Sequence, residues 1–71
     1  MKALSLRQKQ VLFLAARGMT AEESAEKLGL SVETIKSHRR KAVKKLGAKN
    51  LTAAVYQALR EGQIKMRPDD A

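Results

Sequence analysis

An all-α domain of four short helices is the fold class this sequence predicts, and three observations predict it. Helix-capping residues stand at Ser5, Thr20, Ser31 and Asn50. Apolar residues at helical spacing follow each cap, and a glycine closes each stretch, at Gly18, Gly29, Gly47 and Gly62. The 71 residues make one domain at most. A chain of that length buries only about 60% of its extended surface, so its core is small and its folding is marginal or completed by a partner. The whole chain, 1–71, reads as one unit, with an ordered core from about residue 4 to 62 and a tail from 63 to 71.

The first helix opens at Ser5, with Gln8 three residues on in the spacing of a capping box. Leu4, just before the cap, can pack toward the first turn. Val11, Leu12, Leu14 and Ala15 form the apolar side of a helix running to about Arg17, where Gly18 stops it. At 100° per residue Phe13 points away from Val11 and Ala15. It is either scatter on an outer face or a contact for a partner or the returning tail.

The second helix starts at Thr20, with Glu23 at the capping-box position. Ala21, Ala25 and Leu28 face one way. Glu22, Glu23 and Glu26 lie in the early turns, where the helix dipole favours negative charge, so capping and solvation explain them better than acid chemistry. Gly29 ends this segment after about two turns, and Leu30 can return to the core.

Ser31 then caps a third helix, leaving only Gly29 and Leu30 between two helical segments. A short helix, a tight glycine-containing turn and a longer basic helix form a helix-turn-helix. The third helix is predicted from Val32 to Leu46. Ile35, Ala42 and Leu46 fall on a narrow apolar stripe, and Lys36, Ser37, Arg40 and Lys44 lie on the opposite half. Gly47 closes it.

Asn50 caps the fourth helix, from Leu51 to about Glu61, with Leu51, Ala54, Val55, Ala58 and Leu59 on or near its apolar side. Ala53, Tyr56 and Arg60 occupy an outward side suited to a symmetric contact, although monomeric packing fits as well. The tail contains Pro68, Asp69 and Asp70 and reads as frayed, with Ile64 and Met66 available to fold back over the core.

Charge is concentrated on the third helix and just beyond it. Between Lys36 and Lys49 stand seven basic residues and no acidic one: Lys36, Arg39, Arg40, Lys41, Lys44, Lys45 and Lys49. Residues 1–33 carry five positive and four negative side chains, residues 34–71 ten and three, so the net +8 is a local field. Solvated helix faces usually mix signs, and a one-sign face on an apolar-anchored helix is the footprint of a polyanion binder.

Composition removes other classes. With no cysteine there are no disulfides, thiolate metal sites or thiol chemistry, and a single histidine without clustered carboxylates makes no metal site. No apolar run approaches the roughly 18 residues of a membrane span. The start, Met1-Lys2-Ala3-Leu4, leads into Ser5, Arg7, Gln8 and Lys9 instead of a signal-peptide core, so the default location is the cytoplasm. One Phe, one Tyr and no Trp leave little for stacking unpaired bases, which favours duplex DNA over single strands or RNA. No phosphate-binding glycine loop or convergent acid, base and nucleophile argues for an enzyme, and no cofactor is expected.

In order, Leu4-Ser-Leu-Arg-Gln-Lys-Gln-Val-Leu12, Ala16-Arg-Gly-Met-Thr20, Ala25-Glu-Lys-Leu-Gly-Leu-Ser31, Thr34-Ile-Lys-Ser-His38 and Lys45-Leu-Gly-Ala-Lys-Asn50 resemble the LuxR/GerE-type C-terminal helix-turn-helix domain. The resemblance covers about residues 4 to 62. It implies a four-helix fold whose third helix enters the DNA major groove and whose fourth helix pairs two protomers. Carried over by position, Lys36, Ser37 and Arg40 are the base-contact candidates. Thr34, His38, Arg39, Lys41, Lys44 and Lys45 are the phosphate-contact candidates, and Leu51, Ala53, Tyr56 and Arg60 are the dimer-interface candidates. Lys36 and Arg40, four residues apart on one face, can reach a single groove, and an arginine fork matches the two acceptors of guanine. Plain phosphate attraction remains the alternative for both. Arg39 lies near the apolar stripe, so its stem snorkels over the core while its head either reaches a phosphate or stays at the surface. His38 is either a packed, hydrogen-bonded helix residue or a phosphate ligand.

The chain departs from the family pattern in places. Gln8 and Gln10 stand where acidic residues are usual. Ser24 replaces Ile or Val, which leaves a thinner core or a hydroxyl bonded back to the Ala21 or Thr20 carbonyl. Arg39 and Ala42 replace residues that are commonly larger or more apolar. Leu51 replaces a frequent basic residue and adds an apolar edge. The resemblance implies a sequence-specific transcription regulator binding duplex DNA as a homodimer. Because no sensor or phosphorylation domain is present, a second reading is an interaction module that pairs with a longer LuxR-type regulator. The Met1 start favours a complete chain over a fragment.

Overall fold

A computed structural model describes residues 3–70; Met1, Lys2 and the end of the expected tail, Ala71, lie outside them. Four helices run in order: α1 (Leu6–Ala16), α2 (Ala21–Leu28), α3 (Val32–Leu46) and α4 (Leu51–Arg60), with a short 3-10 turn at Pro68–Asp70. No strand occurs among the described residues.

Each helix begins where its capping residue dictates. Ser5 Oγ accepts from the Gln8 backbone N–H at 3.1 Å while Gln8 Oε1 accepts from the Ser5 N–H at 2.8 Å. Thr20 and Glu23 repeat the exchange at 3.1 and 2.8 Å, so both predicted capping boxes form. Ser31 Oγ accepts from the Thr34 N–H, and Asn50 Oδ1 from that of Ala53. At the far ends of α2 and α3, Gly29 and Gly47 take left-handed backbone with φ of 68° and 66°, a conformation a side chain would oppose.

The apolar residues collect in two clusters joined through α3. Val11 of α1, Ala21 and Ala25 of α2 and Ile35 of α3 form one, with Leu28, Leu30 and Val32 packed around it. Leu12, Ala42, Leu46, Ala54 and Ala58 form the other with Leu4 and Ile64 from outside the helices. Ile35 thus anchors the first half of α3, and Ala42 and Leu46 anchor the second. The predicted stripe is buried along its whole length. Burial of a side chain such as Leu12 or Ile35 contributes roughly 1.5–3 kcal/mol. A few such residues, with caps worth about 1 kcal/mol each, hold α3 against three neighbours.

Four details differ from the helical reading or extend it. Phe13 is half-buried and packs on the larger cluster, because α4 and the returning chain close over that side of α1. Ser24 is fully buried with no partner for its Oγ, so of the two alternatives at this position the hydroxyl bond back to the preceding turn is not made; the Thr20 carbonyl accepts the Ser24 backbone N–H, as the helix requires. Leu59 is exposed, at the edge of the apolar side of α4. Ile64 is buried beside Leu4, so packing continues past Gly62, while Met66 is only half-buried.

A candidate nucleic-acid interface

Anchoring by Ile35, Ala42 and Leu46 turns the opposite side of α3 outward. Lys36, Arg40, Lys41 and Lys44 are exposed there, and Ser37 is half-buried between them. Lys36, Arg40 and Lys44 recur every four residues, one above the next on the helix surface. Together with Arg39, Lys41 and Val43 they form one wall of an open groove of about 730 Å³, whose other wall is Asn50 and Leu51 at the start of α4. Among the described residues no acid lines it. The sole acid of α3, Glu33, sits in its first turn, outside this row.

The remaining phosphate-contact candidates are placed unequally. Thr34 lies at the N-terminus of α3, with its hydroxyl 2.8 Å from Ser31 Oγ in the cap. His38 and Lys45 are half-buried on the flanks, so they do not join the outer row. Arg39 is half-buried at the groove's edge: its Nη2 donates to the Met19 carbonyl at 3.1 Å, in the turn between α1 and α2, and its Nε is buried without a partner. One Nη of its head is therefore tied to the turn between α1 and α2. Helical spacing located its stem correctly near the apolar stripe but could not locate Met19, which reaches it only through the tertiary path of the turn.

On α4, Tyr56 is 63% exposed with the Arg60 guanidinium over its ring at 5.9 Å. Ala53, Gln57 and Glu61 complete a shallow groove around them. Leu51 is not part of that patch. It packs against the larger core cluster and borders the basic groove of α3.

Sequence reasoning missed a polar connection beneath this patch. Gln57 Nε2 donates to the Leu46 carbonyl at 3.0 Å and to Glu61 Oε2 at 3.1 Å, and Gln63 Nε2 donates to Glu61 Oε1 at 2.8 Å. These bonds hold the Glu61 carboxyl below the usual carboxylate range, Gln63 first and Gln57 second. The i, i+4 spacing of Gln57 and Glu61 was the available signal. Among the described residues, no group of three or more His, Cys, Asp or Glu is placed to hold a metal, and no helix is long and apolar enough to cross a membrane.

Residues 2–58 match the family described as bacterial regulatory proteins, luxR family. The spore germination protein GerE of Bacillus subtilis is 33% identical over 63 residues, spanning 89% of this chain and 85% of that protein. The HTH-type transcriptional activator RamA of Corynebacterium glutamicum is 43% identical over 61 residues, and the oxygen regulatory protein NreC of Staphylococcus aureus 40% over 60. The match spans only 22% and 28% of those two longer proteins. A solved structure of the transcription factor GerE superposes with a TM-score of 0.86 over 92% of this chain and 97% of that one, at 23% identity, and shows the same fold.

Proposed function

Because the chain belongs to the luxR family of bacterial regulatory proteins, we propose that it reads duplex DNA sequence through α3 and regulates transcription as a homodimer. The single observation that carries this reading is the row Lys36, Arg40 and Lys44, turned outward by the buried stripe beneath it and bordered by no acid among the described residues. An exposed helix bearing long donors at four-residue intervals fits the roughly 12 Å width of a major groove. In this reading Arg40 addresses a guanine with its fork, Lys36 and Ser37 take neighbouring base edges, and Lys44 and Lys41 neutralise phosphates. Thr34, His38 and Lys45 support docking from the flanks.

Pairing rests on α4. The exposed Tyr56, stacked with Arg60 beside Ala53, offers a compact patch that a second copy can cover through a two-fold axis. Two recognition helices would then meet half-sites about 34 Å apart. The same patch suits the fourth helix of a longer LuxR-type regulator, which is the second reading. Sedimentation of the purified chain with and without duplex DNA distinguishes them: a two-to-one complex with DNA supports the homodimer, and a monomer that stays monomeric on DNA favours the other. For the DNA reading itself, anisotropy of a labelled duplex should show binding that weakens steeply with salt. Absence of salt-dependent binding overturns it.

A further inference from the structure

Arg39 lies between the apolar stripe of α3 and its outer basic row, half-buried at the edge of the groove. Its guanidinium leaves the third helix sideways and meets the Met19 carbonyl at 3.1 Å, one residue before Thr20 caps α2. Met19 is itself fixed, since its N–H donates to the Leu14 carbonyl at 3.1 Å. The bond therefore joins the end of α1, the entry of α2 and the middle of α3.

The contact between the two helices of the helix-turn-helix explains why such a bond matters. The buried face of α2 consists of Ala21, Ser24 and Ala25. Small groups thus meet Ile35 at the centre of the contact, with Leu28, half-buried, the one large apolar side chain of α2 packed on that cluster. The buried Ser24 hydroxyl has no partner and adds no directional bond. Arg39 supplies one: a charge-assisted bond from its Nη2 to the Met19 carbonyl, whose angular preference adds direction to the contact.

We propose that Arg39 is a positioning residue that sets the rotation of α3 against α2 and so aims Lys36 and Arg40; this rests on the DNA reading above. Base recognition requires donors within hydrogen-bond reach of a given edge, whereas attraction between long lysines and phosphates tolerates rotation of the helix. Loss of the tether therefore weakens binding to a preferred sequence and spares binding to arbitrary duplex. A phosphate-contacting arginine behaves otherwise, affecting all duplexes alike.

The test uses a duplex enriched from a randomised pool by the unaltered chain and a scrambled duplex of the same composition. R39K keeps the charge but replaces the fork with a shorter point donor. Discrimination between the two duplexes should fall about tenfold, the size of one charge-assisted hydrogen bond. Affinity for the scrambled duplex and its salt dependence should stay within about twofold of the unaltered chain. R39M, which keeps the stem and removes the charge, should lose more on the enriched duplex than on the scrambled one. Retained discrimination in R39K, or equal losses on both duplexes in R39M, overturns the positioning role. If the unaltered chain enriches no sequence, the DNA reading fails first, before either variant is compared.

Discussion

The backbone N–H of Leu4 donates to Oε1 of Gln63 at 2.7 Å, tying the residue before the first cap to the segment beyond α4. Beside that bond Leu4 and Ile64 are both buried in the larger cluster. The segment after Gly62 is thus part of the core's closure. Ile64→Ala should destabilise the fold by about 2–4 kcal/mol, and Gln63→Ala by about 1 kcal/mol, in urea titrations followed by helical circular dichroism. A loss under about 0.5 kcal/mol for Ile64→Ala would show that the segment does not pack in solution.

Ser24 should respond in the opposite direction. Its hydroxyl is buried without a partner, and its position is helical. Ser24→Ala removes an unsatisfied polar group and improves helix propensity, for an expected gain of about 1 kcal/mol. The urea midpoint should rise with an unchanged slope; a fall would mean that the hydroxyl makes a stabilising bond in solution.

Glu61 sets a contribution to acid stability. Its folded-state pKa lies below the ordinary carboxylate value, so its ionised form is favoured by folding. The associated stability is fully present above the unfolded carboxylate range and is lost as pH falls through the lowered folded value. Glu61→Gln should therefore reduce the difference in melting temperature between pH 7 and pH 3. An unchanged difference would show that Gln57 and Gln63 do not hold the carboxylate in solution.

Arg40 and Lys44 should separate specificity from attraction. Arg40→Ala is expected to relax preference at one base pair by about 1–3 kcal/mol. Lys44→Ala should weaken binding to every sequence about equally and lower the salt slope by about 0.9. Parallel losses on chosen and scrambled duplexes for both variants would reduce α3 to a general polyanion surface.

Tyr56→Asp should leave binding to a single half-site unchanged while reducing affinity for paired half-sites by more than about tenfold, because linked binding depends on the α4 contact. Sedimentation of the free protein should show the same loss of self-association. Equal affinity of both forms for paired half-sites would remove the patch from the interface.

Much of this architecture was legible in the sequence because local chemistry specifies it. Ser5 with Gln8 and Thr20 with Glu23 announce helix starts through bonds that span only three residues, and Ile35, Ala42 and Leu46 reveal the buried side of α3 by periodicity alone. What depended on distant chain was not legible. Phe13 is outward on the geometry of α1 by itself and becomes half-buried only when other elements arrive. Gln63 meets Leu4 across 59 residues, and Arg39 meets Met19 across 20. The apolar period of α4 likewise put Leu59 on or near its inner side, yet the helix turns that residue outward at the edge.

Selection from a randomised duplex pool by the purified chain, followed by sequencing of the retained DNA, decides whether α3 reads base sequence. The expected result is one enriched motif in two inverted copies, centred about 10 base pairs apart, as the outward row of α3 and a two-fold contact through α4 together require. Retention of duplexes without any enriched sequence would contradict reading by Lys36, Ser37 and Arg40 and leave the basic face as charge alone.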